Sequence, residues 1–236
     1  MSIAEKLTTV AENQQKVYDA GKKSEYDAFW DAYQSNGNRR NYANAFAGQA
    51  WGCDVFKPKY PIRFNDVTIN SRTAYGVFNW HGRANANYVL DLSTIDIDFS
   101  GCMSISSAFS NAKVDNITIN GINIVSMDNA FNGGDGGNAI TTINIKITDK
   151  CTNMTNAFTY CRSLTNLIFT EDSVIATPIT LTQSDKLTAE SIDSIINALQ
   201  DRTGLSAYKV TFHADVVTKL SEEQMNKILN KGWNVG

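Results

Sequence analysis

The sequence predicts an α/β solenoid: an irregular stack of short helical turns and parallel strands. An N-terminal helical segment precedes the stack, and a helix–strand–helix cap closes it. Three observations predict this. First, a short word recurs, an apolar residue, two variable residues, then Ala-Phe: Ile105-Ser-Ser-Ala-Phe109, Met127-Asp-Asn-Ala-Phe131 and Met154-Thr-Asn-Ala-Phe158. Second, a burst of alternation follows each copy: Ile117-Thr-Ile119, Ile143-Asn-Ile-Lys-Ile147 and Leu167-Ile-Phe169. Third, the grammar changes after Pro178, where helix-capping signals replace the repeated word. A turn plus a strand, recurring at twenty to thirty-odd residues, is a unit that buries its apolar face only by stacking on its neighbours.

The chain divides by these signals into 1–41, a helical segment; 42–177, the repeat stack; and 178–236, the capping repeats. In the first, Ile3, Leu7, Val10, Gln14 and Val17 recur at alternating steps of four and three, the seam of a short coiled coil with one polar member. The segment is either a cap on the first unit or an oligomerisation stem. As a stem it makes a homo-oligomer, with a trimer favoured. Gly21 interrupts it, and Tyr26, Phe29, Trp30 and Tyr33 then mark one face of a docking helix. Ser35-Asn-Gly-Asn-Arg-Arg-Asn41 is a turn-rich exit.

In the stack, two looser copies of the word lie upstream, Tyr42-Ala-Asn-Ala-Phe46 and Ala74-Tyr-Gly-Val-Phe78. The structural core of the repeats is therefore expected at Phe46, Phe78, Phe109, Phe131 and Phe158, spaced 32, 31, 22 and 27 residues apart. Each Phe should fill the space behind a parallel ladder. Lys57-Pro-Lys-Tyr-Pro61 must be extended, because proline bars a helix and restrains its predecessor.

In the cap, Thr188 is an N-cap candidate, with Leu187 and Ile192 as a hydrophobic staple. Ile192, Ile195, Ile196 and Leu199 mark one helix face, and Asp201-Arg-Thr-Gly204 ends the helix. Tyr208-Lys-Val-Thr-Phe212 alternates as a strand. Ser221-Glu-Glu-Gln224 reads as a capping box, with Leu220 and Met225 as its staple. Met225, Ile228 and Leu229 are expected to face inward, Gly232 to stop the helix, and Trp233-Asn-Val235 to add a strand.

Composition excludes several functions. A net charge of −3 offers no footprint for nucleic acid or an anionic membrane, and no apolar run is long enough for membrane insertion. The N-terminus lacks the basic-then-apolar layout of a secretory signal, so the expectation is a chain made in a cytoplasm and not exported by the usual route. Cys53, Cys102, Cys151 and Cys161 form no Cys-x-x-Cys pair, and His81 and His213 lie far from them, so buried thiols are expected rather than zinc. Asp96 and Asp98 share one strand face, the pattern of paired carboxylates for calcium or acid–base work, but also of any wetted sheet face. Asn132-Gly-Gly-Asp-Gly-Gly-Asn138 has no Gly-Lys-Ser/Thr and reads as a loop. His81, beside Trp80 and Arg83, has no nucleophile signature near it. The asparagines beside the strands are read as bonding backbone where a rung turns. The aromatics Tyr60, Tyr75, Trp80 and Tyr88 offer an alternative, carbohydrate-stacking surface. No catalytic, cofactor or metal residue is assigned.

The last unit, Ala157-Phe-Thr-Tyr-Cys161-Arg-Ser-Leu164-Thr-Asn-Leu167-Ile-Phe169, resembles the BspA-like bacterial leucine-rich repeat, whose unit carries Ala-Phe, then Cys, then Leu and a strand. The other units lack an equivalent of Cys161 and vary in spacing. The resemblance implies a leucine-rich-repeat-like solenoid used for surface attachment, with no catalytic residues. Ile3-Ala-Glu-Lys-Leu7, Val17-Tyr-Asp-Ala-Gly-Lys-Lys23, Tyr26-Asp-Ala-Phe-Trp-Asp31 and Asn36-Gly-Asn-Arg39 are similar to the leader of phage and prophage tail-region proteins of anaerobic gut bacteria. That similarity is strongest over 1–50 and 180–236, and it implies a virion protein. The expected function is a non-enzymatic tail-fibre or host-attachment component, binding a bacterial surface glycan or protein and touching other virion proteins. The alternatives are a purely structural head decoration or baseplate part, and a cell-wall glycan hydrolase.

Overall fold

The computed structural model of the chain describes residues 97–112, 114–134 and 139–236, with residues 13, 74–76 and 78 and the backbone of 55–56, 62–63 and 89–90. The chain divides into two units, Met1–Arg40 and Asn41–Gly236, and the strands and C-terminal helices all belong to the second. The seam Ile3, Leu7, Val10, Gln14 and Val17 lies outside the described residues, as do Phe46, Cys53, Tyr60, Trp80, His81, Arg83, Tyr88 and Asp96.

Ten strands are described: β1 (Val55–Phe56), β2 (Ile62–Arg63), β3 (Val89–Leu90), β4 (Ile97–Asp98), β5 (Asn116–Asn120), β6 (Thr142–Lys146), β7 (Asn166–Phe169), β8 (Ile179–Leu181), β9 (Tyr208–Phe212) and β10 (Trp233–Val235). All their pairings are parallel. One sheet runs β2-β4-β5-β6-β7, a second β10-β9-β8, and β1 pairs with β3. The alternation of the sequence explains the register. The isoleucines of the alternating bursts fall opposite one another, Ile97↔Ile119↔Ile145↔Phe169 and Ile117↔Ile143↔Leu167, and all are buried. A slip of one residue would turn each of these rows to the wrong face.

Behind the sheet stand the phenylalanines. Their rings stack nearly parallel, Phe78 on Phe109 at 5.1 Å, Phe109 on Phe131 at 5.7 Å and Phe131 on Phe158 at 5.5 Å between centroids. Phe99 adds an edge contact to Phe109 at 6.1 Å. The four stacked rings are at most 1% exposed. The alanine before each described core Phe from Phe109 onward is equally buried, which lets neighbouring backbones approach.

The words themselves differ from the expected helical turns. Each closes by a single short-range bond: Ala108 N–H to Ile105 C=O, Ala130 N–H to Met127 C=O, Ala157 N–H to Met154 C=O. The third residue of each word is left-handed, Ser107, Asn129 and Asn156 at φ 55°, 54° and 52°, and Gly76 takes that place at 59°. A left-handed residue stops right-handed helix from propagating. Alternate N–H groups instead donate to the next rung. Ile105, Ser107, Phe109 and Asn111 bond Ser126, Asp128, Ala130 and Asn132; Met127, Asn129, Phe131 and Gly133 bond Asn153, Thr155, Ala157 and Thr159. Successive rungs are therefore hydrogen-bonded on two sides, by the sheet and by this ladder of turns. Cys161 also has positional equivalents in the earlier units, Ala112 and Gly134, three residues after their phenylalanines.

The C-terminal part holds helices α1 (Ala189–Ala198), α2 (Ala214–Val217) and α3 (Glu222–Asn230). Thr188 caps α1, its hydroxyl accepting from Ser191 N–H at 3.2 Å. Ser221 and Gln224 form the capping box of α3. Three features differ from the expected helix–strand–helix. Strand β8 and helix α2 are additional, α1 ends at Ala198 before Asp201, and Leu229 is half exposed while Ile228 alone of the expected inward trio is fully buried. Gly232, at φ 74°, lies where a Cβ would sit 2.7 Å from Arg202 O, so the turn into β10 requires glycine.

Helix α1 finishes the five-stranded sheet. Ser191 Oγ accepts from Leu167 N–H and donates to Leu167 C=O; Ser194 Oγ does the same for Phe169, at 2.8 and 3.2 Å. Two hydroxyls one helical turn apart thus take the place of the missing strand. No helix among the described residues is long and apolar enough to cross a membrane.

Candidate binding face

Side chains alternate across a strand, so burying the isoleucines of β4–β7 sends the intervening residues outward. The register arranges them as a grid. One row runs Asn116, Thr142, Asn166; a second Thr118, Asn144, Ile168; a third Asp98, Asn120, Lys146. Thr118 and Asn120 are exposed and the others half-buried. Asn144 is the centre.

The rows differ in how far the protein itself uses them. Asn166 donates to Thr165 Oγ1 at 3.1 Å and accepts from Thr188 Oγ1 at 3.1 Å, and Asn116 donates to Asp115. Asp98 Oδ1 accepts from Ser100 N–H at 2.8 Å, closing a turn. Lys146 faces Asp172 at 3.7 Å. Among the described residues, the side chains of Thr118, Asn120 and Asn144 make no hydrogen bond. The asparagines in and between the strands are thus of two kinds. Asn129 and Asn156 take left-handed backbone and Asn123 donates to Ser100 C=O at 2.7 Å, whereas Asn120 and Asn144 point outward with their amides unused. Reading every asparagine as structural missed this face. The signal that distinguishes the two kinds is position: Asn120 and Asn144 alternate with buried isoleucines, and Asn129 and Asn156 precede Ala-Phe.

Next to the grid, where β7 meets α1, lies an open cleft of about 660 Å³. Ile168 lines it together with Glu171, Asp172, Glu190 and Asp193. Asp193 accepts from Gln224 Nε2 at 2.8 Å.

Among the described residues, the thiols and His213 are engaged elsewhere. Cys102, Cys151 and Cys161 are buried thiols. Burial pushes the Cys151 thiol up to about 12, opposed by a weaker backbone hydrogen bond from Asn153. Cys161 Sγ donates to Phe131 C=O at 3.2 Å. His213 caps α2, its Nδ1 accepting from Asp215 N–H at 3.2 Å. Among the described residues no three His, Cys, Asp or Glu side chains converge to hold a metal ion. Of the expected core positions, Phe78, Phe109, Phe131 and Phe158 come together in the ring column. Of the aromatics considered for carbohydrate stacking, Tyr75 is described and is half exposed on the turn side, away from the grid. Comparison with protein families, with characterised proteins and with solved structures gives no match.

Proposed function

We propose that the chain is a non-enzymatic phage virion protein, a tail-fibre or host-attachment component whose repeats form a leucine-rich-repeat-like solenoid and bind a bacterial surface receptor. The observation that carries the reading is the outward grid. Thr118, Asn120 and Asn144 lie side by side on a surface held on two hydrogen-bonded sides, and the protein does not use their polar groups itself. A rigid face of unengaged amides and hydroxyls is built for a partner rather than for reaction chemistry, since these groups donate and accept but do not titrate.

Among the described residues, Cys102, Cys151, Cys161 and His213 are occupied in packing or capping. The seam at Ile3–Val17 supports several copies on one stem, which raises avidity by about 10²–10⁴ over a single weak site when geometry allows joint engagement. The test is binding of the fluorescently labelled full chain to bacterial cells, alongside immunogold labelling of particles. Cell binding that weakens in Asn144→Ala, with labelled particle tips, is expected. Labelled particles whose protein binds no cells would favour the purely structural role.

A further inference from the structure

We infer that the partner on this face is a neutral polysaccharide, laid along the stack axis over Thr118, Asn144 and Ile168. The inference rests on reading the grid as the binding face, and four observations select the ligand class.

The first is hydrogen-bonding type. An asparagine amide offers two donors and an acceptor oxygen, and a threonine hydroxyl offers one donor and lone pairs. Sugar hydroxyls have the same mixed character, so they satisfy such groups without a charged partner. The second is repeat length. Adjacent strands lie about 4.7–4.9 Å apart, so each rung presents one outward side chain per row at a separation close to the length of one sugar ring. A polymer of rings can meet successive rungs with the same contact. Ile168, half-buried at the end of the row, supplies an apolar patch for the C–H face of a ring.

The third is charge. The charged members of the grid are Asp98 and Lys146, and Lys146 already faces Asp172. Beyond Ile168 the row opens into the cleft lined by Glu171, Glu190 and Asp193. A polyanionic chain following the row would run into those carboxylates, whereas an uncharged chain passes without penalty. The fourth is the closed edge. An extended peptide would bind by adding a strand, but Ser191 and Ser194 already hold the N–H and C=O groups of Leu167 and Phe169.

The experiment uses wall polysaccharide from a bacterium that the full chain binds, separated by anion exchange into a neutral and an acidic fraction. Each fraction is cast into native gels for affinity electrophoresis at low and high salt. The expected result is retardation by the neutral fraction, equal at both salt concentrations, and about tenfold weaker in Asn144→Ala. Glu222→Gln, on exposed α3, should bind like the unaltered chain. Urea midpoints for the variants establish that they fold. Retardation by the acidic fraction alone, falling as salt rises, overturns the neutral-ligand inference. Cell binding abolished by protease treatment of the cells, with neither fraction retarding the chain, also overturns it in favour of a protein receptor. If cell binding and retardation both persist in Asn144→Ala and Thr118→Val, the face is not the binding surface, and the reading beneath the inference fails instead.

Discussion

Truncating the stacked phenylalanines to alanine should destabilise the chain unequally: Phe109→Ala and Phe131→Ala more than Phe158→Ala. Deleting a buried ring costs about 3–5 kcal/mol through lost transfer energy and the cavity left behind. All three rings are essentially inaccessible, so this component is similar for each. The difference lies in the ring contacts. Among the described rings, Phe109 touches Phe78, Phe131 and Phe99; Phe131 touches two; Phe158 touches one. Each aromatic pair adds about 0.5–1.5 kcal/mol beyond its area, so Phe109→Ala should exceed Phe158→Ala by roughly one to two such increments. Phe→Leu at the same positions keeps most of the apolar volume and should preserve the order with smaller losses. Equilibrium urea unfolding followed by far-UV circular dichroism measures it, with m-values compared to check that the unfolding transition is unchanged in kind. A flat or reversed order, or losses below about 1 kcal/mol, would refute the column as a shared energetic element.

Ser191→Ala should cost about 1–3 kcal/mol by leaving a buried N–H and C=O of Leu167 unpaired, and should raise hydrogen exchange at that amide more than elsewhere in β7. Asn156 is left-handed, so Asn156→Gly should leave the melting temperature nearly unchanged, whereas Asn156→Val should lower it by several degrees. The Cys151 thiol ionises at about 12 in the folded chain against 9.0 ordinarily, so its contribution to stability is whole below about pH 9. That contribution declines as the unfolded thiol ionises towards pH 12, and Cys151→Ala should flatten that part of the stability profile. Light scattering of the full chain, and of a chain beginning at Tyr26, tests the seam. A trimer that becomes a monomer without residues 3–17 is expected, and the same mass for both would remove the seam from the interface.

The repeated word and the alternation were legible because both are local. An apolar residue, Ala and Phe at fixed offsets mark what points inward, and period-two isoleucines mark which strand face is buried. The conformation of the word was not legible. Ser107 and Asn129 are ordinary in a helix start, and it is their bonds to the next rung, some twenty to thirty residues away, that go with the left-handed backbone. Strand β8 was hidden for a related reason. Ile179-Thr-Leu181 is too short to show a period, and its pairing partner is Val210–Phe212. Leu229 carried the helical spacing of a buried residue, but the turn of α3 puts Ile228 inward and leaves Leu229 at the surface. The grid was visible only as the complement of the buried pattern. Its row order depends on register across strands, which no single strand encodes.

The doubled hydrogen bonding between rungs has a mechanical consequence. Both ladders run along the stack axis, so tension applied to the ends of the stack is shared between the sheet on one side and the turns on the other. A rung cannot peel from one side while the other still holds it. Yielding should therefore come in discrete steps, each freeing one rung, from Ala74 to Ser104, Ile105 to Ser126 or Met127 to Asn153. Each step would release about 70–110 Å of contour at about 3.3–3.6 Å per residue. In the attachment role proposed above, such steps would dissipate a sudden pull without severing the link.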